Sequence, residues 1–178
     1  FLDAVVDGLS ETGIRARVGE WAWDFSPADQ SHPPAATDAA VRVLESELGR
    51  YPGGADKRIA AWPILIGHMT CSGPLWRAAK DLADANGAGV AAHMSPVKAD
   101  PDWFLERHGV RPIEYLAELG AVGENVTFTH AVHLHALEVA ILAEARANVC
   151  HCPTSALKGA YGVTSVGLFP EMQAEGVN

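Results

Sequence analysis

Four histidines in this chain, His68, His93, His130 and His151, each stand at or just past the end of a short apolar run. Imidazole binds divalent metals, exchanges protons near neutral pH and orients water, so such positions are where chemistry is sought first. The stretch FTHAVHLHALE adds His133 and His135 to His130 within six residues. A His-x-His pair such as His133-Leu134-His135 can chelate an ion. Helical periodicity resumes at Leu137, however, which puts His135 in a turn or at the first helical residue, exposed. His130 follows Val126, Phe128 and the intervening threonines, where a strand meets a site-bearing face; it is a ligand or a histidine satisfied by a backbone carbonyl. His93 follows GVAA, a strand too small and apolar to need a polar residue of its own. Burying an imidazole costs free energy unless it gains a partner, and a metal ion is one of few partners at such a place. Cys150, His151 and Cys152 cannot all ligate one ion, because neighbours on a strand point to opposite faces. No second cysteine pair completes a structural zinc site, so both thiols are expected as small core hydrophobes. The zinc nucleobase-deaminase signature, H-x-E with P-C-x-x-C, is absent.

These residues need elements to position them. FLDAVVDGLSETG has helical spacing with Gly13 as a left-handed cap, and IRARVGEWAW alternates as a strand, with Ile14, Ala16 and Val18 on one face. The loop SPADQSHPP leads to Thr37, the expected N-cap of a helix reaching Gly49. Strands are then expected in IAAWPILIGH, GVAAHMSP, VTFTHAVHL and ANVCHCP. Helices are expected in GPLWRAAKDLADANG, RPIEYLAELG, ALEVAILAEA and SVGLFPEMQAEG. Strands that are apolar on both faces and alternate with helices predict a parallel sheet. The period fits an open doubly wound sheet or a closed barrel, but neither G-x-G-x-x-G nor G-x-x-x-x-G-K-[ST] is present. Histidines at the strand ends favour an α/β fold of the (β/α)8 TIM barrel type, with about strands 3 to 7 present.

A net charge of -9 with no basic run argues against nucleic acid and anionic membrane surfaces. The longest uncharged run, residues 59–76, is broken by Pro63, Gly67, Gly73 and Pro74 and does not read as a membrane span; its neighbour Arg58 precedes it. Three cysteines, an odd number without a CxxC pair, argue against a disulfide framework and make a cytoplasmic location the expectation. The chain starts without Met and stops where a strand is due, so it reads as an interior segment, 1–178, of one barrel domain.

AAHMSP, RPIEYLAELGAV, FTHAVHL and VCHCPTSALKGAYG together resemble the second half of an amidohydrolase-superfamily enzyme, in the branch of cytosine deaminase, guanine-type deaminases and triazine hydrolases. The likeness is strong over residues 89–178 and a matter of rhythm before that. It implies a barrel holding one divalent metal, Zn or Fe, bound by a His-x-His pair on strand one, a His on strand five and an Asp on strand eight. A further His on strand six sits beside the ion and its water. Here the fifth-strand ligand is His93 and the sixth-strand residue, catalytic and at the metal, is His130. His133 matches a structural position, and the remaining ligands are expected outside residues 1–178. The implied reaction is hydrolysis of a C–N bond of a nitrogen heterocycle, by deamination. Alternatives are displacement of chloride or alkylamine, or a metal- or small-molecule-binding barrel without turnover. The implied partner is a small heterocyclic substrate, with neither nucleic acid nor membrane, in a homo-oligomer. Trp23, with Trp21 and Glu20, either lines a substrate pocket or packs; Ser155 is the other substrate-binding candidate. Two departures matter: Pro96 stands where the family has Glu three residues after the fifth-strand His, and Ala156 stands where PTSN is usual.

Overall fold

The computed structural model describes residues 1–26, 34–53 and 57–178, so most of the predicted Pro- and Ser-rich loop lies outside the described residues. Helix α1 (Leu2–Thr12) ends at Gly13, whose φ of 75° supplies the expected left-handed cap. The next strand is interrupted, giving β1 (Ala16–Val18) and β2 (Trp21–Ala22). Helix α2 (Pro34–Arg50) follows. A second interrupted strand gives β3 (Ile59–Ala61) and β4 (Ile64–Gly67). The break falls at Trp62-Pro63, where proline has no N–H to give a ladder. A 3₁₀ turn (His68–Thr70) leads to α3 (Gly73–Ala85), capped by the Ser72 side chain accepting from Leu75 N. Then come β5 (Val90–Met94), α4 (Ala99–His108), α5 (Pro112–Glu118), β6 (Val126–His130) and α6 (Ala136–Glu144). The described chain closes with β7 (Asn148–Cys150), α7 (Pro153–Lys158) and α8 (Phe169–Ala174).

All strand pairs are parallel, in the order β2-β4-β5-β6-β7, and β1 pairs with β3 below them. In β5, Val90, Ala92 and Met94 are buried against the helices while Ala91 and His93 take the other face. That face is less covered because the sheet is only part of a barrel. The helix-side core joins Leu65, Val90, Ala92, Met94, Val126 and Phe128 to Leu75, Trp76, Ile113, Leu116 and Leu142.

Three local expectations are corrected. Thr37 lies inside α2, which starts at Pro34, and its hydroxyl donates to the buried Asp24 carboxylate at 2.6 Å instead of capping a helix. Helix α4, which the periodicity of ADPDWFLERH did not announce, stands between β5 and α5. Cys150 is exposed and Cys152 half-buried, so neither is a core residue.

Candidate active site

At the C-terminal rim of the sheet three imidazoles stand in a row. The His68 and His93 rings stack with centroids 5.4 Å apart and planes 18° off parallel, and His93 and His130 do the same at 5.4 Å and 19°. Trp21 meets His93 edge-on at 5.6 Å, and Tyr161 meets His130 edge-on at 5.5 Å. Strand register explains His93: it lies beside Gly67 on β4 and Thr129 on β6, on the face opposite the helix-side core. His130 is not explained that way. Alternation would send it to the helices with Val126 and Phe128, but β6 ends in left-handed backbone at His130 (φ 82°) and Ala131 (φ 51°), and the ring stacks on His93. His68 (φ 50°) and Ser95 (φ 47°) share this conformation, so left-handed non-glycine backbone gathers at the rim.

The surroundings favour neutral rings. Burial pushes the His93 imidazole below its ordinary range, overcoming its hydrogen bond to the Ile66 carbonyl. Burial, and then the neighbouring His93 and His68, push His130 down as well. A neutral imidazole is the form that donates a lone pair to a metal. Nδ1 of His93 lies 2.9 Å from Ile66 O. A carbonyl only accepts, so Nδ1 carries the proton and Nε2 is left with its lone pair. Among the described residues the buried Nδ1 of His130 has no hydrogen-bond partner, an orphan of the kind a bound group satisfies. Among the described residues no three His, Cys, Asp or Glu side chains converge into a complete ligand set. The two rings therefore fit a divalent ion as part of its coordination shell.

Buried carboxylates hold the rim in place, and neither was found from sequence. Asp100 of α4, 1% exposed, reaches His68 Nδ1 at 2.5 Å across 32 residues. Glu138 of α6, fully buried, accepts from Arg111 Nε (2.6 Å), Ile113 N (3.1 Å) and His135 N (2.9 Å). Arg111 also donates to the His133 carbonyl at 2.7 Å, fixing the chain just past β6. His133 Nε2 lies 2.7 Å from Tyr161 O, so this histidine ties down the segment that carries the Tyr161 ring. His135 is the exposed N-cap of α6. His151 is exposed and packs on Phe169 with centroids 3.7 Å apart, outside the row. Trp23 is 55% exposed and lines a surface hollow with Phe1, Gly19, Glu20 and Trp21; the indole in ring contact with His93 is Trp21. Ser155 is exposed on α7. Pro96 is buried, and no carboxylate occupies that position.

A parallel sheet with imidazoles at the C-terminal ends of adjacent strands places them on the face where (β/α)8 barrels carry their sites. The chain matches the amidohydrolase family over residues 13–172 and belongs to it. It is 31% identical over 177 residues to 5-methylthioadenosine/S-adenosylhomocysteine deaminase 2 of Archaeoglobus fulgidus, covering 99% of this chain and 40% of that protein. It is 38% identical over 178 residues to the 5'-deoxyadenosine deaminase of Methanothrix thermoacetophila, covering 100% of this chain and 39% of that one. Among solved structures, the atrazine chlorohydrolase of Arthrobacter aurescens TC1 complexed with zinc superposes with a TM-score of 0.84 at 16% identity, over 98% of this chain and 39% of that one. The adenosine deaminase of Xanthomonas campestris with bound zinc gives 0.79 at 24% identity, over 99% and 38%. At such identities the structural likeness speaks to the fold, and the sheet is part of a (β/α)8 barrel. The chain spans about 40% of the length of these curated relatives. No helix among the described residues is long and apolar enough to cross a membrane.

Proposed function

We propose that the protein carrying this chain is a metal-dependent hydrolase that cleaves a C–N bond of a nitrogen heterocycle, releasing an exocyclic amine as ammonia. The supporting observation is the stacked pair of burial-neutralised imidazoles, His93 and His130, 5.4 Å apart at the rim of adjacent parallel strands. Its deaminase relatives support the reaction type. We read residues 1–178 as one segment of a single barrel domain, because they align with about two fifths of each relative. A bound Zn or Fe ion would supply Lewis acidity and lower the pKa of a coordinated water towards neutrality. His93 would hold the ion through Nε2, and His130 would contribute to its shell, orient the attacking water and stabilise negative charge on the oxygen added to the ring carbon. Trp21, in edge contact with His93, walls the site on that side. Trp23, from the hollow next to Trp21, and Ser155, from α7, contact the heterocycle. Pro96 has no proton to give, so the leaving amine is protonated by a group at another position. Three cysteines without a CxxC pair favour a cytoplasmic location for a protein we read as a homo-oligomer.

Pro96 itself favours a second reading, displacement of a substituent such as chloride, which departs as an anion without protonation. The experiment is metal analysis of the full-length protein, followed by ammonia and chloride release from adenosine derivatives, guanine-type bases and chlorotriazines. Metal-dependent ammonia release is expected. Chloride release without ammonia selects the second reading, and bound metal without turnover reduces the protein to a binding barrel. Absence of both metal and turnover overturns the hydrolase reading.

A further inference from the structure

Cys150 and Cys152 leave β7 two residues apart, with sulfurs 4.0 Å from each other. In extended chain such residues share a face, and two strand rises put their Cα atoms about 6.6 Å apart. That lies within the range of about 4.4–6.8 Å that a disulfide spans, so the sulfurs can meet by side-chain rotation. Cys150 is exposed and Cys152 half-buried. Register puts Cys150 beside Thr129, which lies beside His93, so the thiol shares the face of the sheet that carries His93. The third cysteine is of another kind: Cys71 is 6% exposed, and burial pushes its thiol up to about 12.

We propose that Cys150 and Cys152 form a redox-active dithiol that closes to a disulfide at the end of β7 when a peroxide reaches it. This goes beyond the hydrolase reading and holds whether or not the barrel turns over a substrate. Cys150, on the sheet face that carries His93, is the attacking residue. Its sulfur bonds to one peroxide oxygen, the O–O bond breaks, and the other oxygen leaves as water with the Cys150 proton, giving a sulfenic acid. Cys152 sulfur then attacks Cys150 sulfur, the S–O bond breaks, and the hydroxyl departs with the Cys152 proton as a second water. The two thiols lose two electrons and the peroxide gains two. Burial, and then the neighbouring Cys150, push the Cys152 thiol up, so Cys152 is the less reactive of the two and follows Cys150.

The sequence supplies its own assay. Trypsin cleaves after Arg146 and Lys158, which places both cysteines in the peptide ANVCHCPTSALK and leaves Cys71 in another. The full-length protein is treated with hydrogen peroxide, alkylated and digested without reductant. The peptide is expected to be lighter by two hydrogens and free of alkyl label, to regain two labels after dithiothreitol, and to lose this behaviour in Cys150→Ser. Two alkylated cysteines after peroxide, sulfinic or sulfonic acids in place of the bond, or a disulfide linking this peptide to another would each overturn the proposal.

Discussion

His130 carries most of the proposed chemistry and owes its place to one backbone angle. Strand alternation aims it at the helices, and the left-handed turn at φ 82° breaks that alternation where its ring stacks on His93. His130→Asn is expected to lower kcat by about 10²–10³-fold while KM changes little, because the lost interaction develops in the transition state. Steady-state kinetics on a released-ammonia assay reads this. Asp100 acts one step back. With Asp100→Ala the His68 ring loses its anchor, and kcat/KM is expected to fall about 10-fold or more with the melting transition still cooperative. An unchanged kcat/KM would remove His68 from the site. His93 was marked in the sequence by an apolar run with no use for a polar group, and His130 by its place after VTFT, where a strand meets the rim. Asp100 was not, since its partner is 32 residues away and nothing local marks it.

The strand ends and helix termini set how closely these rings approach. Gly67 has φ 76°, and a Cβ there would meet the His93 carbonyl oxygen at 2.2 Å. Gly67→Ala is therefore expected to destabilise the full-length protein by about 1–3 kcal/mol, measured by chemical denaturation, through backbone that cannot accommodate a methyl group. On α2, buried Glu47 accepts from Glu20 N at 2.9 Å through one oxygen, while the other has no hydrogen-bond partner among the described residues. Burial raises its pKa above the ordinary 4.5. A raised pKa means the folded protein holds this proton more tightly than the unfolded chain does. The resulting stability is present in full below 4.5 and is lost as pH rises through the raised value. Glu47→Gln should therefore gain melting temperature relative to the parent as pH climbs from 4.5 towards neutrality; a constant difference would contradict the assignment. The helix–strand rhythm was readable because both periods are strong in VTFTHAVHL and ALEVAILAEA. Helix α4 was not, because ADPDWFLERH buries only Asp100, Pro101 and Phe104 and shows no apolar stripe. Thr37 misled for a related reason: a favoured cap residue was recruited by the buried Asp24 instead.

As a whole, the chain is a curved parallel sheet with one face covered by helices and two edges, β2 and β7, that a closed barrel would pair. The β7 edge is engaged in part, since Val149 N donates to Asn178 O at 2.7 Å. Unpaired edges promote association. The 178 residues expressed alone are therefore expected to be oligomeric or insoluble in light scattering, and a monodisperse, cooperatively melting monomer would count against the barrel segment. The fold class was legible because five apolar strands between helices have few ways to pack. The rest of the metal shell was not, because two imidazoles make only part of a ligand set. The most direct test is the metal content of the full-length protein and its His93→Ala variant, measured by plasma mass spectrometry beside circular dichroism. One divalent ion per chain is expected in the parent, and its loss from a variant that keeps the parent's spectrum. A folded variant that retains the full complement of metal would contradict it.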